Sequence, residues 1–108
     1  MIHELRIYHA VPGKLPALLA RFQNQTLPLW KKHGIRQAGF WTTLIGESHL
    51  QLTYMLAWES LSERETRWNA FVADPEWAKV AAESEKDGQL VQNISSELLV
   101  PTAFSSVQ

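Results

Sequence analysis

The strongest constraint in this 108-residue chain is a pair of neighbouring stretches, Arg36–Gly46 and Leu50–Glu59, whose large apolar side chains fall on both parities. Both are rich in aromatic and β-branched residues, and the short Gly46-Glu-Ser-His49 segment between them suits a hairpin. On the first stretch Phe40 and Leu44 share one parity and Trp41 and Ile45 the other; on the second, Leu52, Tyr54, Leu56 and Trp58 oppose Met55 and Ala57. Successive side chains of a strand point to opposite faces, so both faces of the central sheet need cover. An antiparallel sheet with helices on one side ordinarily alternates cleanly, apolar toward the helices and polar toward water. One chain of this length has helices for one face only. The simplest cover for the other is the same face of a second copy related by two-fold symmetry, so a homodimer is expected. The competing arrangement is a monomer with scattered surface aromatics, which ordinary protein surfaces tolerate.

The flanking segments supply the remaining elements. His3 to His9 alternate, Leu5 and Ile7 on one side and Glu4, Arg6 and Tyr8 on the other, which predicts a half-buried strand ending near Pro12-Gly13. From Lys14, Leu15, Leu18, Leu19 and Phe22 recur at helical spacing. Pro16 is tolerable in the first turn, and Pro28 should kink or restart the helix with Thr26 available as a cap. Gly34 is a left-handed stop. Ser62 stands three residues before Glu65, the spacing of a capping box, and predicts a helix over 62–73 that buries Trp68, Phe71 and Val72. Asp74-Pro75-Glu76 opens a second helix, to about Asp87, closed by Gly88. Gln89–Val100 reads as a last strand and Pro101–Gln108 as a polar tail anchored by Phe104. The order β-α-β-β-α-β predicts an α+β domain of ferredoxin-like type, a four-stranded antiparallel sheet with helices on one face.

At 108 residues the chain, 1–108, fits one domain on the usual scale of about 100 to 200 residues each. A domain this small hides only roughly two thirds of the surface its unfolded chain exposes, so a partner subunit usefully enlarges the interior. The net charge of −1 and the lack of any Lys/Arg cluster argue against nucleic acid. No stretch approaches the roughly 20 apolar residues of a membrane span, and the start is strand-like rather than basic then apolar; a cytoplasmic location is expected. With no cysteine there are no disulfides, thiolate ligands or thiol nucleophiles.

Several pieces taken together are familiar: Glu4-Leu-Arg-Ile-Tyr8, Pro12-Gly13, His33-Gly34, Gly39-Phe-Trp41, Trp58-Glu-Ser-Leu61 with Arg64, Asp74-Pro-Glu-Trp77, and Leu98-Leu-Val-Pro-Thr-Ala-Phe-Ser105. In order and spacing, over nearly the whole chain, the pattern resembles the NIPSNAP family of the dimeric α+β barrel group. The resemblance implies the ferredoxin-like fold and a dimer whose two sheets pack face to face. It implies no assigned reaction. Neighbouring families on the fold include cofactor-free monooxygenases, small isomerases and haem-binding enzymes, a link by fold analogy alone.

Candidate ligand-binding residues come from two groups. Glu4, Arg6 and Tyr8 stand in a row on one strand face at about 6 to 7 Å intervals. They offer an acceptor, a forked cation and a phenol to an anionic or phenolic ligand; the competing role is pairing with cross-strand or dimer-mate groups. Trp41, Tyr54, Trp58, Trp68 and Trp77 either line an apolar cavity between sheet and helices or form plain core. Arg64 either closes such a cavity, caps strand carbonyls or pairs with Glu59 or Glu63. His3 and His9 lie about 20 Å apart along one strand, and His33 and His49 are elsewhere, so no zinc site is expected; a single axial histidine for haem is compatible with the spacing, yet no cofactor is expected. No nucleophile elbow accompanies Ser48-His49, and no glycine-rich phosphate loop is present. The expected role is a dimeric domain that binds a small apolar molecule or a protein partner. The alternative is a cofactor-independent monooxygenase or isomerase acting on an aromatic or polyketide-like substrate, with Arg6, Tyr8 or a histidine moving protons.

Overall fold

The computed structural model describes every residue from Met1 to Gln108. Strand β1 is Ile2–Ala10. Helix α1, Leu15–Arg21, runs through a π-helical turn, Phe22–Thr26, into α2, Leu27–His33. Strands β2, Arg36–Thr42, and β3, Gln51–Trp58, follow, then helices α3, Leu61–Val72, and α4, Pro75–Ser84, and strand β4, Val91–Leu99. The four strands form one sheet in the order β2-β3-β1-β4, antiparallel at every step. This is the ferredoxin-like α+β arrangement, and no helix is long and apolar enough to cross a membrane.

Pro28 explains the π turn. A proline at that position cannot donate to Asn24, and in a regular α-helix its ring would strike the Asn24 carbonyl. Widening by one residue relieves the clash, so the Leu27 N–H donates to the Phe22 carbonyl five residues back. Thr26 is therefore helical and buried rather than a cap, and its Oγ1 has no partner. Gly34 ends α2 at φ 71°, and the Ile35 N–H reaches back to the Trp30 carbonyl at 2.8 Å.

Three boundaries and one buried face differ from expectation. Strand β2 stops at Thr42 and not Gly46, leaving Leu44 and Ile45 exposed in a connection longer than the expected hairpin, since neither side chain has a neighbour to pack on. The cap of α3 is Ser60, whose Oγ accepts from the Glu63 N–H at 3.1 Å; Ser62 lies inside the helix. The face of α3 turned to the sheet carries Phe71, with Trp68 partly buried, while Val72 points outward. Helix α4 ends at Ser84, where the acidic residues of 83–87 oppose the negative helix end.

The register decides which parity is covered. Glu4, Arg6 and Tyr8 pair across β1 and β3 with Leu56, Tyr54 and Leu52, and all six are buried beneath the helices. Leu5, Ile7, Met55 and Ala57 occupy the opposite face, where no helix lies over them and they are half-buried. The core proper gathers Tyr8, Leu18, Phe22, Leu29, Trp30, Ile35, Leu52, Tyr54, Leu56, Trp58 and Phe71. Along β2 the register shifts between Gln37 and Phe40. Gly39, at φ 127°, makes that bulge, and a Cβ there would fall 2.5 Å from the Trp41 ring.

Candidate functional site

Of the residues singled out as ligand candidates, Arg6, Trp58 and Arg64 bond one carboxylate, that of Glu4, and Tyr8 and Tyr54 join the cluster through Arg6. Glu4 is fully buried, and its two oxygens accept five hydrogen bonds. Oε1 takes Trp58 Nε1 at 3.0 Å and Arg64 Nε at 2.7 Å; Oε2 takes Arg6 Nη1 at 3.0 Å, Arg64 Nη2 at 3.1 Å and Ser96 Oγ at 2.8 Å. Arg64 thus grips Glu4 through two nitrogens, the strong fork geometry. The expected local pairing of Arg64 with Glu59 or Glu63 is not what forms; Arg36 takes those two acids instead. Burial pushes the Glu4 carboxyl up, but the bonds from Arg64, Ser96, Trp58 and Arg6 outweigh it and hold the group down at about 2.

Arg6 carries the network onward. Its Nε donates to the Tyr54 hydroxyl at 2.7 Å and Nη2 to the Tyr8 hydroxyl at 3.4 Å, while the Tyr54 hydroxyl donates to Tyr8 at 3.1 Å. The guanidinium lies 4.7 Å from the centre of the Trp68 ring, a cation–π contact. Burial, and then the Tyr8 neighbour, push the Tyr54 phenol far above its usual range, so it stays protonated and donates. All three guanidinium nitrogens of Arg6 are engaged within the chain, and none of the four principal surface cavities is lined by Glu4, Arg6, Tyr8, Tyr54, Trp58 or Arg64. The row of polar residues along β1 is a filled ionic core.

Trp41, also a candidate, stands apart at the β2 edge, 53 % exposed. It borders a groove of about 370 Å3 walled by Leu19, Phe22, Leu27, Phe40 and Leu52, with Gln23 and Thr42 as its polar members. The groove runs along the π turn, whose first residues, Phe22 and Gln23, line it together with Leu27 just beyond the turn. Sequence reasoning missed it. The available signal was Pro28 inside a helical pattern, which marks a distortion without saying which side it opens.

A second cluster joins α2 to α4. Asp74 caps α4 by accepting from the Glu76 N–H at 2.9 Å through Oδ1, and its Oδ2 accepts from His33 Nε2 at 2.7 Å and Lys32 Nζ at 2.9 Å. The His33 bond, followed by Lys32, holds the carboxyl well below the usual range. No group of three His, Cys, Asp or Glu side chains is placed to hold a metal ion.

Sheet order, helices on one face and a filled ionic core define a small ferredoxin-like α+β domain built for packing around β1. The NIPSNAP family model matches residues 3–106, and the chain belongs to the NIPSNAP family. An uncharacterised NIPSNAP domain protein from Burkholderia xenovorans has 27 % identity and a TM-score of 0.84, the alignment covering 97 % of this chain and 98 % of that one. A NIPSNAP family protein with unknown function from Agrobacterium tumefaciens has 25 % identity and a TM-score of 0.86 over 100 % of this chain and 94 % of that one. A structure from Mycobacterium tuberculosis at 14 % identity and a TM-score of 0.63, covering 97 % and 98 %, shares the fold alone. Among curated proteins no match was found.

Proposed function

We propose that this domain is a homodimer in which each subunit holds a small, largely apolar molecule in the groove between the π turn and β2. The groove carries the reading: about 370 Å3 of open volume is walled by Phe22, Phe40, Trp41 and three aliphatic side chains, in the range where small ligands bind. No titratable side chain lines it, so a proton-moving oxygenase or isomerase has no acid or base there, and binding is the activity supported best. The dye N-phenyl-1-naphthylamine is expected to bind saturably with enhanced fluorescence, and Leu19→Trp, which fills the groove, to weaken binding by about tenfold or more. Unsaturable binding, or equal binding by the variant, rejects the ligand site.

The homodimer is supported by the uncovered sheet face, where Leu5, Ile7, Met55 and Ala57 are flanked by Trp41 and by Leu99, itself 39 % exposed. Strands β2 and β4 are the two edges and run antiparallel to each other. A two-fold axis along the strand direction therefore brings β4 of one copy beside β2 of the other as an antiparallel neighbour, covering edges as well as faces. Light scattering after size exclusion should give twice the chain mass at micromolar concentration, and Ile7→Lys should shift it toward one chain. A monomeric parent protein overturns this half of the reading.

A further inference from the structure

The chain buries two arginines beneath its helices, and only one has its charge matched. Arg6 faces Glu4 at 3.0 Å and two phenol oxygens. Arg21, 8 % exposed on α1, has no buried acid beside it. Its Nε–H is buried without an acceptor. Its Nη1 donates to the Ser84 hydroxyl at 3.2 Å and lies 3.7 Å from Glu85, a carboxylate that is 45 % exposed and correspondingly screened. Trp77 flanks the guanidinium, 5.5 Å from ring centre to the central carbon. Burial pulls the Arg21 pKa below its ordinary value, and Tyr8, Glu85 and Tyr54 offset this only in part. A guanidinium remains charged under all ordinary conditions, so the deficit is one of counter-charge.

Arg21 is also part of the wall of a surface depression. Between α1 and α4 lies a hollow of about 270 Å3 whose walls are Ala17, Ala20, Arg21, Asn24, Gln25 and Ser84. Two alanines keep the floor open, two amides and a hydroxyl supply neutral donors, and no acidic side chain lines it. It shares no lining residue with the apolar groove on the other flank of the same helix. We infer that this hollow is a binding site for a small oxyanion, the carboxylate or phosphate group of a small molecule, held by Arg21 with Asn24, Gln25 and Ser84 around it. Planar, two-pronged recognition of an oxyanion is what guanidinium geometry favours. Glu85 then acts as the internal competitor, occupying Nη1 from the rim when the site is empty of ligand.

The test is a nuclear magnetic resonance titration of the full chain with sodium acetate and with sodium phosphate, against sodium chloride at matched ionic strength. The signals followed are the Arg21 Nε–H and the amides of Asn24, Gln25 and Ser84. Saturable shifts are expected with at least one oxyanion and none with chloride, and the better of acetate and phosphate identifies the oxyanion class. Glu85→Gln, which removes the competitor, should tighten binding by about threefold, and Gln25→Glu, which puts a carboxylate on the wall, should weaken it by at least as much. Both positions are exposed, so the fold is retained. Shifts that never saturate, that chloride reproduces, or that ignore both substitutions overturn the inference.

Discussion

Glu4→Gln is expected to destabilise the domain by about 3 to 5 kcal/mol, the range for breaking a buried ion pair from one side. The amide is nearly the same size, so the loss is electrostatic: Arg6 and Arg64 keep their charges, while their common acceptor becomes neutral and turns a donor toward one of them. Urea denaturation of parent and variant measures the effect. The double variant Glu4→Met with Arg6→Leu should recover part of it, because the one charge then left without its acceptor is that of Arg64, which is 29 % exposed and can turn to water.

The same residue sets a pH signature. Its folded pKa, about 2, lies below the ordinary glutamate value of 4.5. A depressed acid contributes fully above its unfolded value, and the contribution is lost as pH falls through the folded one. On the order of 3 kcal/mol should therefore disappear between roughly pH 4.5 and pH 2. Over that window the stability gap between the parent and Glu4→Gln should close, since protonated Glu4 then resembles the amide. A gap that stays constant down to pH 2 would show that Glu4 does not bind as an anion in the native state.

The second large effect is expected at Trp30. It is 2 % exposed and has the rings of Phe22, Phe40, Tyr54, Trp68 and Phe71 at centroid distances between 5.4 and 6.3 Å. Trp30→Ala removes the hub of this aromatic cluster and should cost about 3 to 5 kcal/mol, a large part of the roughly 5 to 15 kcal/mol that holds a domain folded. Trp30→Phe tests why. The indole Nε1 is buried without a partner, so phenylalanine gives up volume but no hydrogen bond, and the loss should stay below about 2 kcal/mol. A Trp30→Phe loss well above that, read from the denaturation midpoint, would mean that the indole N–H is bonded after all.

The candidate site was legible in its residue types and not in its role. Arg6, Tyr8, Tyr54, Trp58 and Arg64 share one neighbourhood because β1 and β3 are register partners and α3 begins just after β3, features that follow from element order. That they close on Glu4 and on Arg6 and leave no cavity depends on distances that no spacing encodes. Arg64 chose Glu4, 60 residues away, over Glu63 next to it, since a fully buried carboxylate gains more from a fork of two donors than the half-buried Glu63 does. The groove stayed hidden because its walls come from α1, the π turn, β2 and β3, and Leu19 or Leu52 alone reads as ordinary core. Arg21 had a readable signal: three residues after Leu18 and one before Phe22, it falls on the buried helical face.

By itself the sequence determined the order of strands and helices, the caps at Gly34 and Asp74, and the division of each strand into two sets of side chains, because these follow from backbone sterics and from periods of 2 and 3.6. Which set of β1 lies inside was decided only by the tertiary structure. Leu5 and Ile7 look like the inward pair, yet Glu4, Arg6 and Tyr8 are the ones beneath the helices. That choice is stable because Arg64 and Ser96, 60 and 92 residues away along the chain, deliver donors to Glu4 and replace the water it gave up.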